Sequence, residues 1–216
     1  MKLQGEDKAW FKSVQDEFLG RLRPNASLLG EHLFHVPARL PQPAVANGRL
    51  FANRVEALNF FPQGQTVAEV GTQAGWYAER MIDTIKPREL HLFDLDFYLL
   101  HTERPDIARR SEVTLHEGDS SQKLAALPDK YFDLIYIDGD HEIAGVIKDT
   151  NVALEKVRDD GILVFNDYTP WSIMELTDYG VMPVVNDLLA SGSWTVAYFA
   201  FHPHMYCDIA IRRVRS

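Results

Sequence analysis

A single cysteine, Cys207, rules out an internal disulfide and fits a reducing compartment. No window approaches eighteen uncharged apolar residues, so no segment reads as a membrane span. The N-terminal stretch MKLQGEDKAWFKSVQDEF carries charge throughout and has no apolar h-region, so it does not read as a signal peptide. A cytoplasmic location is the corresponding expectation. Positive charge is also scarce: 22 Lys and Arg stand against 31 Asp and Glu, for a net charge of −9. That balance excludes a generally nucleic-acid-binding surface and disfavours an anionic membrane. Repeats and low-complexity tracts are missing too. What remains is a globular composition, 46% hydrophobic and 25% charged, in 216 residues. The expectation is one domain, with a helix and irregular cap over 1–45 and a core over 46–216.

Residues 5–20 carry Trp10, Phe11, Val14, Phe18 and Leu19 near helical spacing, which predicts a helix with a core-facing stripe. Four prolines within 21–45 predict irregular chain. Residues 48–60, GRLFANRVEALNF, read as a second amphipathic helix stopped by Pro62 and Gly64. Strand-like runs then recur at 66–70, 89–93, 112–115, 132–137 and 161–165, with helix-like runs at 75–86, 120–127 and 142–157 between them. The alternation calls for a parallel sheet covered on both faces. After 168 the rhythm changes: a helix-like run at 181–191 precedes two strand-like runs, 194–201 and 206–213, joined through His202-Pro203-His204. The fold class expected is α/β, a Rossmann-like doubly wound, mostly parallel sheet ending in a C-terminal antiparallel hairpin.

In such sheets ligands sit at the carboxyl ends of the strands. The first strand–turn–helix reads VAEVGTQAG, and Gly71 and Gly75 allow close backbone approach and positive φ. Asp94 follows nineteen residues beyond Gly75, at the end of the next strand, placed to accept from ribose hydroxyls; Asp96 is its rival. The turn lacks the central glycine of G-x-G-x-x-G that lets a pyrophosphate approach, and no G-x-x-x-x-G-K-[ST] exists. Glu69 would repel a pyrophosphate and attract a cationic ammonium or sulfonium. A positively charged nucleoside fits best.

At that point VAEVGTQAG, HLFDLD, EGDSSQKL, FDLIYIDGDH and DDGILVFNDY together resemble, in order and spacing, the motifs of class I S-adenosylmethionine-dependent methyltransferases over about residues 50–215. The small O-methyltransferases similar to catechol and macrocin O-methyltransferases are the nearest type. The resemblance implies S-adenosylmethionine as cofactor, with Glu69, Gly71 and Gly75 at its methionine end, Asp94 on the ribose, and Asp119 and Ser120 against the adenine.

Asp138, Asn166 and Asp167 close two strands that the fold makes neighbours, and their hard oxygens suit Mg²⁺. The resembling enzymes read Asp-Asn or Glu-Asp where this chain reads Asn166-Asp167, which leaves the metal open. His141, three residues after Asp138, stands where catechol-type enzymes place a lysine base and macrocin-like ones a histidine; with Asp138 it is the expected catalytic pair. His32 and His35, or His202 and His204, lack the further ligands a zinc site wants. Trp76 and Tyr77 are candidates to flank the cofactor, and Trp171 to shape the acceptor pocket. The expected activity is methyl transfer to a small-molecule hydroxyl, with phenols, sugars and N-methylation all open. An NAD(P)-dependent oxidoreductase and a non-catalytic cofactor-binding module are the alternatives. An apolar N-terminal helix and an edge hairpin are compatible with a homodimer.

Overall fold

The apolar runs become neighbouring strands. The computed structural model describes residues 4–22, 38–172, 174–175, 177–202 and 205–214. Five strands run parallel: β2 (Thr66–Val70), β3 (Glu89–Asp94), β4 (Val113–Glu117), β5 (Phe132–Ile137) and β6 (Val157–Phe165). β2 pairs with both β3 and β5, β3 with β4, and β5 with β6. The winding therefore reverses between β2 and β5, which opens a crevice at their carboxyl ends. The expected hairpin is present as β9 (Trp194–Ala200) and β10 (Asp208–Arg213), and β10 inserts antiparallel between β9 and β6. Its turn shows Met205 N–H donating to the His202 carbonyl at 3.0 Å; Pro203 and His204 lie outside the described residues.

Every residue of β2 is buried, because helices cover both faces of the sheet. Val67, Leu92 and Leu134 meet Tyr77, Ala78, Met81, Ile82 and Ile85 of α4 (Trp76–Ile85). Ala68, Val70, Ile135 and Leu163 face the other way, toward Val146 and Ala153 of α7 (Ile143–Lys156) and Val181, Val185 and Leu189 of α8 (Val181–Ala190). The period of two in the strands meets the period of 3.6 in the helices. Each large aliphatic side chain buried this way contributes about 1.5–3 kcal/mol before ordering costs.

One expectation needs correction. Residues 48–60 are not one helix. Arg49–Phe51 form β1, drawn into edge pairing parallel to β9, and a new helical turn, α3 (Arg54–Ala57), starts at Asn53, whose side chain accepts from Glu56 N–H at 2.9 Å. Tertiary pairing overrides the helical period there. The expected N-terminal helix is present as α1 (Gly5–Leu22), on which Trp10, Phe11 and Val14 are 60, 50 and 45% exposed. Its apolar positions are narrow and interrupted by Lys8, Lys12, Asp16 and Glu17, so little apolar area is available to bury. The side chain of Phe18 and the pair His32/His35 lie outside the described residues.

The chain divides into two compact units, Met1–Val36 and Pro37–Ser216. Residues 38–45 belong with the sheet because their backbone is tied to it. The Asn186 amide donates to the Ala38 carbonyl (2.8 Å) and the Thr195 hydroxyl to that of Ala44 (2.9 Å), beside the short helix α2 (Gln42–Val45). Among the described residues no helix is long and apolar enough to cross a membrane.

Candidate active site

The crevice at the switch point is a cleft of about 620 Å³. One end is built from backbone. Gly71 takes φ +86°, and a Cβ there would stand 1.9 Å from the Asp138 carbonyl oxygen, so no larger residue fits. Gly75 takes φ +75° where α4 begins, with Leu100 blocking any side chain. Between them the N–H of Gln73 donates to Asp94 Oδ2 at 2.6 Å. The acid expected to hold the ribose thus also pins the loop. Both Asp94 and Gln73 line the cleft. The rival Asp96 instead accepts from Tyr98 N–H (2.9 Å) at the start of α5 (Tyr98–Glu103), which makes it a helix-capping group.

Further along the same wall, Asp119 caps α6 (Ser120–Ala125) by accepting from Gln122 N–H (3.1 Å). Its carboxylate also accepts from the Lys148 ammonium and the Ser121 hydroxyl, which together with Gln122 hold it well below the usual carboxylate range. Ser120 lines the cleft and donates to Asp149 Oδ1 at 2.7 Å. Asp149 is buried, and burial raises its carboxyl. Gly145, Lys148 and Asp149 are wall residues that sequence reasoning did not select. Their spacing along α7, one helical turn after the Asp138–His141 segment, is the signal that points to them.

Glu69 is 1% exposed at the end of β2. Burial pushes its carboxyl up to about 8, against the opposing effects of the Thr72 hydroxyl and Arg54. Among the described residues its Oε2 has no hydrogen-bond partner. A buried polar atom left open beside a glycine loop is what a polar ligand would complete.

The other end of the cleft is built from side chains. β5 and β6 stand in register with Ile137 opposite Phe165, so Asp138 and Asn166–Asp167 emerge side by side. His141 Nε2 lies 3.6 Å from Asp138 Oδ1 and 3.7 Å from Asp167 Oδ2, and no hydrogen bond satisfies it. The imidazole stacks on Tyr179 at 4.6 Å, and the Tyr179 hydroxyl donates to Glu175 at 2.8 Å. Asp167 takes φ +54°, a left-handed conformation uncommon for aspartate, and this aims its carboxylate back at His141. Burial raises the carboxyls of Asp138 and Asp167; Arg54 chiefly opposes it at the first and His141 at the second.

Behind this pair lies a network that the sequence did not announce. The Tyr136 hydroxyl donates to Asp208 Oδ2 (3.1 Å) and accepts from Arg54 Nη1 (3.2 Å) and Asn166 Nδ2 (3.1 Å). Asn166 also donates to Asp208 Oδ1 at 3.0 Å. Asp208, on the hairpin strand β10, is 1% exposed, and burial pushes its carboxyl up to about 7.

This geometry bears on the divalent ion. Mg²⁺ requires near-octahedral oxygen donors. Asn166 turns its amide inward to Asp208 and Tyr136, and Asp138 Oδ2 faces the Arg54 guanidinium at 3.8 Å. Among the described residues no group of three or more His, Cys, Asp or Glu is arranged to hold a metal. Asp138 is faced by Arg54 at one oxygen and by His141 at the other, which is not the all-oxygen surrounding of a magnesium cage.

Residues 68–168 match the family model of the methyltransferase domain, a span that runs from β2 to just past Asp167 and includes both ends of the cleft. No curated protein sequence matches the chain. Among solved structures the chain is similar to the pyocyanin biosynthetic protein PhzM, at 18% identity and TM-score 0.56, covering 70% of this chain and 51% of that one. It spans about half of PhzM's length. It is also similar to an S-adenosylmethionine-dependent methyltransferase from Mesorhizobium loti (16%, TM-score 0.54, 74% and 95% covered). A third likeness is to the Podospora anserina methyltransferase PaMTH1, solved with S-adenosylhomocysteine bound (16%, TM-score 0.52, 75% and 78% covered). The fold is a Rossmann-like one shared with these structures, and the family-model match covers a little under half of the chain.

Proposed function

We propose that the chain moves a methyl group from S-adenosylmethionine to a hydroxyl of a small molecule, with His141 as the base. One observation carries this reading: a single cleft holds a glycine loop pinned by Asp94 at one end and an unsatisfied imidazole between two carboxylates at the other. Fold alone would not select an activity; the site does.

In this reading the Gly71–Gly75 loop and Glu69 take the methionine end, Asp94 the ribose, and the Asp119–Ser120 wall the adenine. Bound there, the cofactor supplies a methyl group already activated on a cationic sulfur. The chain supplies alignment and proton removal. His141 would take up the hydroxyl proton of an acceptor aligned with that methyl group. Asp138 and Asp167, both nearest its Nε2, would stabilise the imidazolium, and the stack on Tyr179 fixes the ring plane. The acidic charge balance supports a small-molecule acceptor over a nucleic acid. No step here requires a metal.

Calorimetry with S-adenosylmethionine, S-adenosylhomocysteine and NADH tests the cofactor. Binding of the first two and silence with NADH is expected; the reverse overturns the reading. With an acceptor in hand, His141→Ala should lower turnover by about 100-fold or more while S-adenosylhomocysteine affinity stays nearly unchanged.

A further inference from the structure

The acid that orients His141 has a guanidinium behind it. Arg54 enters from α3, and its Nη1 lies 3.8 Å from Asp138 Oδ2, while the other oxygen of that carboxylate faces His141. The side chain is immobilised from several sides. It donates to the Tyr136 hydroxyl at 3.2 Å, and its guanidinium carbon sits 5.1 and 5.0 Å from the ring centres of Trp76 and Tyr77. The Tyr77 hydroxyl donates to the Arg54 carbonyl at 3.2 Å, which ties down the backbone as well. Arg54 thus sets a fixed positive charge against one oxygen of Asp138, while His141 faces the other.

We propose that Arg54 is the resident cation of the site, a positioning residue that acts through Asp138 to hold His141 for proton removal, so that transfer proceeds without a divalent ion. The chemistry rests on the methyl-transfer reading; the exclusion of the ion rests on geometry alone. An ion bound to Asp138 would lie within a few ångströms of a fixed positive charge, and like charges at that distance in a partly buried site repel strongly. Moving Arg54 aside would in turn strip Tyr136 of a donor and leave the neighbouring acids Asp208 and Glu69 without their nearest cation.

Mn²⁺ titrated into the full chain, followed by the electron paramagnetic resonance of the free ion, reads the exclusion without any acceptor. The wild type, with or without S-adenosylhomocysteine, should show no stoichiometric binding at millimolar Mn²⁺. Arg54→Met keeps the apolar stem over the two rings and removes the charge; it should bind Mn²⁺ at least about tenfold more tightly, and adding Asp138→Asn should abolish that gain. Arg54→Lys should stay silent like the wild type. In turnover, the wild type should be indifferent to a chelator, and Arg54→Met should lose about 100-fold in kcat with KM little changed, with Arg54→Lys recovering about tenfold of it.

Stoichiometric Mn²⁺ binding by the wild type that disappears in Asp138→Asn would overturn the proposal, and this comparison needs no Arg54 variant to fold. A folded Arg54→Met chain that binds S-adenosylhomocysteine and remains silent to Mn²⁺ would overturn it too. Failure of the wild type to bind S-adenosylhomocysteine would count against methyl transfer and leave the ion result standing, so the two failures are distinct.

Discussion

The two ends of the cleft are made of different material. The loop end is backbone: two glycines at positive φ, the Gln73 amide between them, and one carboxylate from the adjacent strand that this amide meets. The catalytic end is side chain, gathered from α3, β5, the ends of β5 and β6, the loop bearing Glu175 and Tyr179, and β10. A backbone site depends on local conformation, which a few residues determine. A side-chain site depends on long-range packing, and each member is costly to isolate because its partners are buried charges.

Substitutions at the two ends should separate these accounts. The largest effect is expected at Gly71. An alanine would force its Cβ against the Asp138 carbonyl at a positive φ, at a cost of at least about 4 kcal/mol in urea unfolding. A mild Gly71→Ala variant with the cleft intact would contradict the backbone account.

Next is Asp208. Its carboxyl sits at about 7 in the fold against an ordinary 3.8, so the unfolded chain ionises first as pH rises. Stability from this group is full below about pH 4 and is lost as pH rises toward 7. Asp208→Asn removes that loss. Relative to wild type the variant should gain about 4 kcal/mol between pH 4 and pH 8, read from paired denaturation curves. A difference that does not change with pH would show that Asp208 is not a strained buried acid.

The smallest effect sharpens the choice between neighbouring acids. Asp94→Ala should weaken S-adenosylhomocysteine binding by about 10- to 100-fold, since it removes both a ligand acceptor and the pin on Gln73. Asp96→Ala should leave binding alone and cost about 1 kcal/mol of stability through the lost cap.

Legibility follows the same division. The strands of the parallel sheet were readable because doubly buried strands are continuous apolar runs, and the register that brings Asp138 beside Asn166–Asp167 follows from their order. Asp94 was readable as a strand-end acid, and it lines the cleft. The segment 48–60 misled because its helical period is real over Arg54–Ala57, while Arg49–Phe51 answer to an edge strand nearly 150 residues away in sequence. That misreading hid Arg54 on the face of a supposed surface helix. Asp208 was hidden differently: an aspartate opening a hairpin strand looks solvent-facing until that strand is known to lie inside the sheet.

By itself the sequence determined the alternation of strands and helices, the glycine turn after the first of them, and the order in which acids and a histidine arrive at strand ends. These follow from periodicity and from the backbone freedom of glycine, which act over a few residues. Only the tertiary structure decided that Asn166 faces Asp208 and that Arg54 stands behind Asp138, because a buried charge takes its role from partners that the chain brings near only when it folds.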